Sequence, residues 1–501
     1  MLQKLKEDIW IILASLFVFS ALMVFFTVVH PIIPYDNDDW GLLCNFRHAF
    51  PDASTSSPSR IFQEIFMPFI GLISAFVVNI FVKDYLFSFA VTLAIVLAVI
   101  STVLFNVVYR LFCSLTNKKG LSILICLLMS LFYFGFFKTR YDSTYMLYSI
   151  NYTCAFYYII PNLLNSILVC LLMKYECQGT KISPDGLGYV KFGIIVAAAY
   201  FAIFSMLFSM AILAVYCGLN LILSIVVYKK QFAKKILFQI AIIVGFLVYC
   251  YFEITSQRAA TDTIGTFELN ENTGFLERVV IAFYTSLGLL EQINKAFLIF
   301  AMVIIFVALI IFSVNIKKDS SNKIIKPAAM CIILCPAIFL AYMLISAMAG
   351  AQFYPSYTQV MYGAFFYFFM AAGLCLAYIL EKFPRLTILV PVVILIFTNE
   401  AANPYLRFQD QMSYHWNNIQ LSTKKKMELT NHWIEQMKEA DSQGITEITL
   451  QVPYYPDHED DMPTGSNYWP LGFTNSLFLH HVTFYYINVK LDYVEGMLPG
   501  E

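Results

Sequence analysis

The sequence predicts an all-α polytopic membrane protein of about eleven transmembrane helices, with interfacial helices in its first outer loop and a small C-terminal α/β domain. Of its 501 residues, 59 % are hydrophobic and 13 % are charged, and the mean hydropathy is +0.69. A water-soluble chain of this length needs more polar surface than that composition supplies. Long apolar segments recur along residues 1–399, and the composition turns polar in residues 400–501. We therefore predict a membrane domain followed by an extracytoplasmic tail domain.

Eleven segments reach the length of roughly 20 apolar residues that a helix needs to cross the hydrocarbon core. They lie at 9–29, 87–111, 121–137, 154–173, 192–208, 209–228, 236–254, 296–316, 327–348, 360–380 and 386–399. The first is too long for the core of a signal peptide and no small-residue cleavage site follows it, so we expect it to be retained. The run 192–228 is too long for one crossing, and we divide it near Phe204.

Lysine and arginine residues in the short connections set the orientation, because such loops stay in the cytoplasm. With eleven spans, all of these connections fall on one face; their basic residues are Lys4, Lys6, Arg110, Lys118, Lys119, Lys174, Lys181, Lys191, Lys229, Lys230, Lys234, Lys235, Lys317, Lys318, Lys323, Lys326, Lys382 and Arg385. This segregation predicts a cytoplasmic N-terminus and an outer C-terminal tail. A full crossing by the apolar segment 61–82 would invert every later loop, so within the first outer loop (30–86) we predict an interfacial or re-entrant helix pair there.

The tail has its own pattern of secondary structure. Residues 422–444 have the pattern of an amphipathic helix that ends at a glycine. Residues 445–453 and 481–492 are typical of strands, and the stretch between them is rich in turn residues.

Several function classes are excluded or disfavoured by composition. The net charge of −1 gives no reason to expect nucleic acid as a partner. The eleven cysteines show no disulfide or zinc-ligand spacing. The chain has no Walker A loop, GxSxG or HExxH motif, and its spans lack the charges of proton-coupled transporters. Only the outer face has enough polar sequence for an active site.

Three acids stand directly after the first span, in the sequence "PYDNDDWGLLCNFR". Asp36, Asp38 and Asp39 are candidates for a general base or a cation site at the membrane surface. The alternative is a solvated turn in which Asp38 or Asp39 caps a short helix that begins at Trp40.

The same outer face holds candidate groups for a phosphate and a sugar. Arginine matches phosphate oxygens with two parallel hydrogen bonds, and the candidate phosphate ligands are Arg60, Lys83 and Arg258. Snorkelling at the interface explains most such cations equally well. Aromatic rings stack on sugars, although interfacial aromatic belts also account for them; the candidate substrate residues are Trp40, Glu64, Tyr141 and Tyr152.

The order of these features resembles a known family. One span followed by "YDNDDWGLLCNFR" and "SPSRIFQEIF", many further spans and an outer C-terminal domain resemble the GT-C class of integral-membrane glycosyltransferases. Within that class the chain is most similar to bacterial serotype-converting O-antigen glucosyltransferases. The plan covers the whole chain, but the matching motifs occupy about thirty residues.

The resemblance implies transfer of a sugar, normally glucose, from undecaprenyl phosphate to a lipid-linked polysaccharide such as the O-antigen of lipopolysaccharide. A first-loop aspartate acts as base in the class, which maps onto Asp36, Asp38 or Asp39, and we favour Asp38 or Asp39. The implied location is the bacterial inner membrane, with the tail in the periplasm. A donor synthase and a donor flippase are the implied functional partners. No cofactor is expected, and a divalent metal stays an open alternative.

Two other functions fit parts of the pattern. A polysaccharide polymerase or ligase also has eleven or twelve spans, but it typically relies on arginines in large outer loops. A lipid-glycan flippase or transporter should place charges in a central cavity, whereas this chain keeps them at the rim.

Overall fold

The computed structural model describes residues 2–52, 57–137, 145–149, 151–227, 236–255, 273–319, 322–407, 412–416, 419–454 and 468–495. These residues form an α-helical bundle with a small α/β tail domain. The predicted fold class is confirmed: the chain is a multi-pass, all-α membrane protein with a small C-terminal domain. In chain order the described α-helices are α1 (Leu2–Val24), α2 (Asn37–Leu43), α3 (Ile61–Ile73), α4 (Tyr85–Thr116), α5 (Lys119–Gly135), α6 (Ile160–Cys177), α7 (Pro184–Leu187), α8 (Tyr189–Ile203), α9 (Leu207–Val227), α10 (Leu237–Thr255), α11 (Phe275–Gln292), α12 (Lys295–Val314), α13 (Ile316–Asp319), α14 (Ile325–Met348), α15 (Tyr362–Lys382), α16 (Val390–Arg407), α17 (Thr423–Ser442) and α18 (Trp469–Leu479).

Short irregular helices complete several of these elements. A π-helical turn at Phe25–Val29 extends α1. A second, at Ser74–Val78, continues α3 into the helical turn Asn79–Val82. A third, at Ala155–Ile159, joins the turn Tyr152–Cys154 to α6. Turns of 3-10 helix lie at Tyr354–Ser356 and Pro384–Leu389.

The long apolar helices agree with the predicted spans. In the part of the chain that the structure describes, nine helices are long and apolar enough to cross a membrane, and three shorter ones are also apolar. Each of the eleven predicted spans coincides with one of these helices, and Ile61–Val82 is the remaining one. The division of 192–228 falls between α8 and α9. There the backbone carbonyls of Phe204 and Ser205 accept bonds from Phe62 N and Gln63 Nε2, both at 2.9 Å.

Length and composition alone would count Ile61–Val82 as a span, but its contacts keep both ends on one side of the bundle. Its start is bonded to the α8–α9 junction. Its end turns through Lys83, which has a positive φ of 58°, directly into α4. The Tyr85 hydroxyl at the start of α4 is 2.7 Å from His480 Nδ1 of the tail. Phe89 near the start of α4 contacts Tyr152 just before α6, and Asn220 near the end of α9 bonds to Glu176 at the end of α6, so α4 and α9 both run parallel to α6. This arrangement agrees with the interfacial helix expected from the positive connections.

The described part of the tail domain contains two small sheets and two helices, α17 and α18. Strands β1 (Met412–Trp416) and β2 (Ile419–Ser422) are antiparallel, and β3 (Glu447–Tyr454) and β4 (Asn488–Glu495) are parallel, with Glu447 opposite Asn488. The predicted helix is present as α17, which Ser422 caps and which Gly444 follows in the left-handed conformation at φ +67°. The first predicted strand is β3. The second begins seven residues later than expected, at Asn488.

Apart from single helical turns such as α7, three described elements lack a counterpart in the sequence analysis: α11, α18 and the β1–β2 hairpin. In α18, Pro470 and Gly472 have the composition of a turn, yet proline is compatible with the first turn of a helix. Gly472 is needed where α18 crosses α2, because a Cβ there would lie 2.8 Å from the backbone nitrogen of Gly41. The composition of this segment therefore reflects a close helix crossing rather than a turn.

The tail packs firmly on the first outer loop. The indole nitrogens of Trp40 and Trp469 both donate to the carbonyl oxygen of Tyr35, at 3.2 and 3.0 Å. Trp433 of α17 stacks on the Tyr35 ring with centroids 6.2 Å apart. All four side chains are buried. The first loop and the tail thus share one aromatic core, which fixes α17 beside the three acids.

Candidate active site

The acids of the first loop are organised by helix α2. The sequence analysis placed the start of this helix at Trp40, but it begins at Asn37, and Asp36 is its N-cap. Asp39 N donates to Asp36 Oδ1 at 3.0 Å, and Asp36 N donates to Asp39 Oδ2 at 3.4 Å. Such a capping box satisfies two of the free amides that every helix start presents. An aspartate therefore caps this helix, as the alternative interpretation expected, but the N-cap is Asp36 and Asp39 is the third residue of the helix.

Asp39 is fully buried and held by backbone donors. Its Oδ2 also accepts from Tyr35 N at 2.8 Å, and its Oδ1 accepts from Thr153 N at 2.7 Å. Burial raises the pKa of this carboxyl, against the hydrogen bonds from Thr153 and Tyr35 and the charge of Lys426. Asp39 thereby ties the first loop to the residues that precede α6.

Asp36 is the half-buried member of the pair. Its Oδ2 accepts a hydrogen bond from Asn151 Nδ2, while its Oδ1 serves the cap. Burial, followed by the negative charges of Asp39 and Asp38, raises the pKa of Asp36 well above its ordinary value. Asp38 points outward on the first turn of α2 and is exposed. The three acids therefore occupy three different environments within four residues.

Lys426 of α17 faces the acids from the tail. It is completely buried, and within the described residues its Nζ has no hydrogen-bond partner. The ammonium lies over the Tyr35 ring, 5.6 Å from its centroid. Burial lowers the pKa of Lys426 to about 8, although the charges of Asp39 and Asp36 act in the opposite direction. Lys426 is thus a buried cation that the charges of two carboxylates affect but that is hydrogen-bonded to neither among the described residues, which is unusual for a buried polar group.

His30 lies near the same groups, at the C-terminal end of the first apolar helix. Its Nδ1 is 2.5 Å from Tyr145 Oη, and its ring stacks on Tyr148 with centroids 5.6 Å apart. Its Nε2 is buried without a partner among the described residues. Burial, and then the charge of Lys426, lower the pKa of His30 to about 3. The imidazole is therefore neutral at physiological pH.

Sequence reasoning missed Lys426, His30 and Asn151. A signal was available for the first, because Lys426 shares the helical spacing of the buried Leu429, Trp433 and Met437. A lysine on the apolar face of an amphipathic helix calls for an explanation. The other two offer no pattern, since each stands alone in its segment.

The predicted phosphate ligands lie in different settings. Arg60 is buried, its Nε is 3.5 Å from Glu253 Oε1 on α10, and Ser59 Oγ donates to the same oxygen at 2.7 Å. Lys83 is exposed in the turn that precedes α4. Arg258 lies outside the described residues. Arg60 and Lys83 flank opposite ends of the helical segment Ile61–Val82, one buried and the other exposed, so these two do not form one phosphate site.

The predicted substrate residues mostly serve packing. Trp40 is fully buried against Phe473, with ring centroids 4.9 Å apart, so its ring has no exposed face for a sugar. Glu64 forms an ion pair with Arg47 at 2.7 Å. Tyr152 is buried against Phe89. Tyr141 lies outside the described residues.

Over the described ranges, no three His, Cys, Asp or Glu side chains come together in a way that could hold a metal ion. The acids near Asp36 are engaged with backbone and side-chain amides instead. The expectation that no metal is required stays a prediction.

Known proteins offer a limited comparison. No protein-family model matches the chain, and no curated protein matches it at a significant level. The chain is similar to the crystal structure of the Archaeoglobus fulgidus oligosaccharyltransferase complexed with Zn and sulfate, with 14 % identity and a TM-score of 0.42. The match covers 93 % of this chain and 61 % of that one, so the chain spans less than two thirds of that protein's length. A similarity at this level says nothing of the reaction.

Proposed function

We propose that this chain is a membrane glycosyltransferase that moves a hexose from a polyprenyl-phosphate donor to a lipid-linked polysaccharide, with Asp36 as general base. The observation that carries the proposal is the carboxylate pair at the end of the first apolar helix, opposite a buried cation. A sugar attached to a lipid phosphate has its reactive carbon at this boundary between apolar and polar surroundings. Such a donor is already activated and needs no nucleotide pocket.

The reaction requires a base, orientation and a cation for the departing phosphate. An acceptor hydroxyl attacks the anomeric carbon and forms the new glycosidic bond, while the bond from that carbon to the phosphate oxygen breaks. The hydroxyl proton passes to the base, and polyprenyl phosphate leaves with the electron pair. The donor and the acceptor are the two substrates, and no oxidant or reductant is consumed.

Among the three acids, Asp36 fits the role of base best. The sequence favoured Asp38 or Asp39, but Asp39 is fully buried and accepts hydrogen bonds from three backbone amides, and Asp38 is exposed. Asp36 is half-buried, and its raised pKa makes it a stronger base than an ordinary aspartate. Asn151 holds its second oxygen in place.

The finer assignments extend this proposal. Glucose on undecaprenyl phosphate is the preferred donor, and the O-antigen of lipopolysaccharide is the preferred acceptor, as in serotype conversion. The active face is then the periplasmic face of a bacterial inner membrane, supplied by a donor synthase and a donor flippase. These assignments rest on the family resemblance of the first loop.

The decisive experiment is transfer by the purified protein. Radiolabelled polyprenyl-phosphate hexoses are offered with a lipid-linked polysaccharide acceptor, with and without EDTA. We expect label in the polysaccharide with one hexose, no loss with EDTA, and loss in Asp36→Asn. No transfer from any polyprenyl-phosphate hexose would contradict the proposed function, and transfer that EDTA abolishes would contradict the metal-free form of it.

A further inference from the structure

The start of tail helix α17 presents an unsatisfied polar surface toward the acids. Thr423 and Lys426 are three residues apart and therefore share one face of the helix. Both are buried, and Thr423 Oγ1 and Lys426 Nζ have no hydrogen-bond partner in the described part of the chain. Buried polar atoms in proteins are nearly always bonded, so two such atoms on one helical turn indicate a missing ligand.

The electrostatics of this position favour an anion. A helix of 20 residues has a partial positive charge at its first turn, where free amides also point outward. The Lys426 ammonium adds a full charge there, and His30 contributes a third unpartnered buried atom, Nε2. Asp36 and Asp39 attract the ammonium without forming a short ion pair with it. An anion at this helix start would satisfy Thr423 and Lys426 together.

An apolar cavity approaches the same place from within the bundle. It has a volume of about 200 Å³ and is lined by residues of α1, α4 and α5, among them Leu22, Phe105 and Phe134. Phe134 stacks on Tyr145 with centroids 5.7 Å apart, and Tyr145 bonds to His30. One row of aromatic contacts therefore leads from the wall of the cavity, at Phe134, to His30, whose pKa is affected by the charge of Lys426. A hydrocarbon chain and an anionic group joined to each other fit this pair of sites.

The geometry points to Lys426 and Thr423 of the tail as the binding site for the phosphate of a polyprenyl phosphate, whose hydrocarbon chain enters the cavity between α1, α4 and α5. This inference rests on the proposed function for the identity of the lipid. It assigns the phosphate to the tail domain, whereas the sequence analysis assigned it to Arg60, Lys83 and Arg258. Without Lys426, a bound phosphate would face two carboxylates, so its removal should weaken binding strongly.

Equilibrium binding to the purified full-length protein tests the inference without any transfer step. The probes are farnesyl phosphate, farnesol and inorganic phosphate, with binding followed by calorimetry. We expect the wild type to bind farnesyl phosphate at least tenfold more tightly than farnesol, and to bind inorganic phosphate far more weakly. Lys426→Met should lose this preference for the phosphate, and Thr423→Val should lose it in part. Lys424→Met, an exposed lysine of the same helix, should keep it.

Each result has a definite meaning. An undiminished preference in both Lys426→Met and Thr423→Val would overturn the phosphate assignment even if transfer is observed. Inorganic phosphate binding as tightly as farnesyl phosphate would overturn the assignment of the cavity. Lys426-dependent binding of farnesyl phosphate without transfer from any hexose would support this site while contradicting the proposed function. Valine has nearly the same shape as threonine, so Thr423→Val tests the site even if Lys426→Met does not fold.

Discussion

Two buried cations near the outer ends of the helices have opposite surroundings. Arg60 lies 3.5 Å from Glu253, whose carboxylate also accepts a bond from Ser59, and its guanidinium lies 5.6 Å from the centroid of the Tyr157 ring. Lys426 is buried as deeply, yet its Nζ has no hydrogen bond among the described residues. Each cation joins segments that are remote in sequence. Arg60 forms an ion pair with Glu253, although its Nε makes no hydrogen bond among the described residues, whereas Lys426 has neither an ion pair nor a hydrogen bond there.

The presence or absence of an ion-pair partner distinguishes a cation that stabilises the fold from one that is available for a ligand. Burying a charge is costly unless a partner compensates for it, and a paired charge is readily explained as part of the fold. A buried charge without such a partner lowers stability, so its presence calls for a reason outside folding. Arg60, which the sequence favoured as a phosphate ligand, has the surroundings of a structural residue. Lys426, which the sequence did not single out, has those of a binding residue.

The largest expected effect concerns Asp36, the proposed base. Asp36→Asn keeps the helix cap, because asparagine caps as well as aspartate, but it cannot accept a proton. Loss of a general base typically costs about 10²–10⁴-fold in rate. The variant keeps the backbone contact of the cap but loses the acceptor for the Asn151 side chain, so we expect moderately reduced accumulation and a fall of this size in kcat for sugar transfer by the purified variant.

Asp39→Asn is the informative comparison for that variant. Both oxygens of Asp39 accept backbone amides, so an amide group in their place leaves a donor facing a donor. We expect poor accumulation rather than a well-folded inactive protein. Full activity in Asp36→Asn, together with a stable but inactive Asp39→Asn, would move the base to Asp39.

The next effect tests the structural reading of Arg60. Removing one partner of a buried ion pair typically costs about 3–5 kcal/mol, because the other charge is left uncompensated. Glu253→Gln and Arg60→Met should each lower the thermal midpoint, and the double variant Arg60→Met/Glu253→Leu should recover most of the loss. A single Arg60→Met variant that is stable but binds farnesyl phosphate poorly would instead return Arg60 to the phosphate site.

Lys426→Met should raise stability near neutral pH, whereas the Arg60 and Glu253 variants should lower it. The pKa of Lys426 in the folded protein, about 8, lies below its ordinary value of 10.5. Above pH 10.5 the amine is neutral in both the folded and the unfolded protein, so its burial carries no charge penalty. As pH falls from 10.5 to 8, the amine of the unfolded protein takes up a proton before the buried one does, so the free energy of unfolding decreases, and the loss is complete once pH has fallen through 8. A difference of this size corresponds to about 3 kcal/mol. We therefore expect Lys426→Met to be more stable than the wild type near neutral pH, and the gap to close toward pH 10.5.

Thermal unfolding in detergent across that pH range measures the effect, with Lys424→Met as the control, since an exposed lysine should show no such dependence. A Lys426→Met variant that is less stable than the wild type at neutral pH would show that the ammonium is compensated within the fold. Lys426 would then join Arg60 as a structural residue.

The features that could be read from the sequence are those that depend on local composition. The spans follow from runs of apolar residues, and α17 follows from its periodicity and its terminal glycine. The acid cluster was found because Asp36, Asp38 and Asp39 are neighbours in the chain. Its chemistry was beyond the sequence, because Lys426 and Asn151 reach it from distant segments.

Ion pairs and packing contacts explain why Arg60, Glu64 and Trp40 have other surroundings than the sequence analysis expected. Arg60 and Glu64 were chosen as isolated charges on an outer loop, but their partners are Glu253 on α10 and Arg47 in the same loop. Trp40 was chosen as an aromatic residue beside acids, but Phe473 and Ser476 of α18 cover it. In each case the deciding contact comes from tertiary packing, which residue type and spacing do not encode.

The smallest expected effect belongs to Asp38, the exposed acid next to the proposed base. Its charge raises the pKa of Asp36, after burial and the charge of Asp39. Asp38→Asn removes that charge and should therefore lower the pKa of Asp36, so that the acidic limb of the pH profile of kcat/KM moves to lower pH. The loss of an acid from the first turn of α2 should cost only about 0.3–1 kcal/mol in stability. At neutral pH the rate should stay within a few-fold of the wild type, because Asp36 is still the base.

An acidic limb that does not move, or that moves to higher pH, would show that the titrating group is not Asp36. A loss at neutral pH as large as that of Asp36→Asn would make Asp38 the base, as the sequence analysis had allowed.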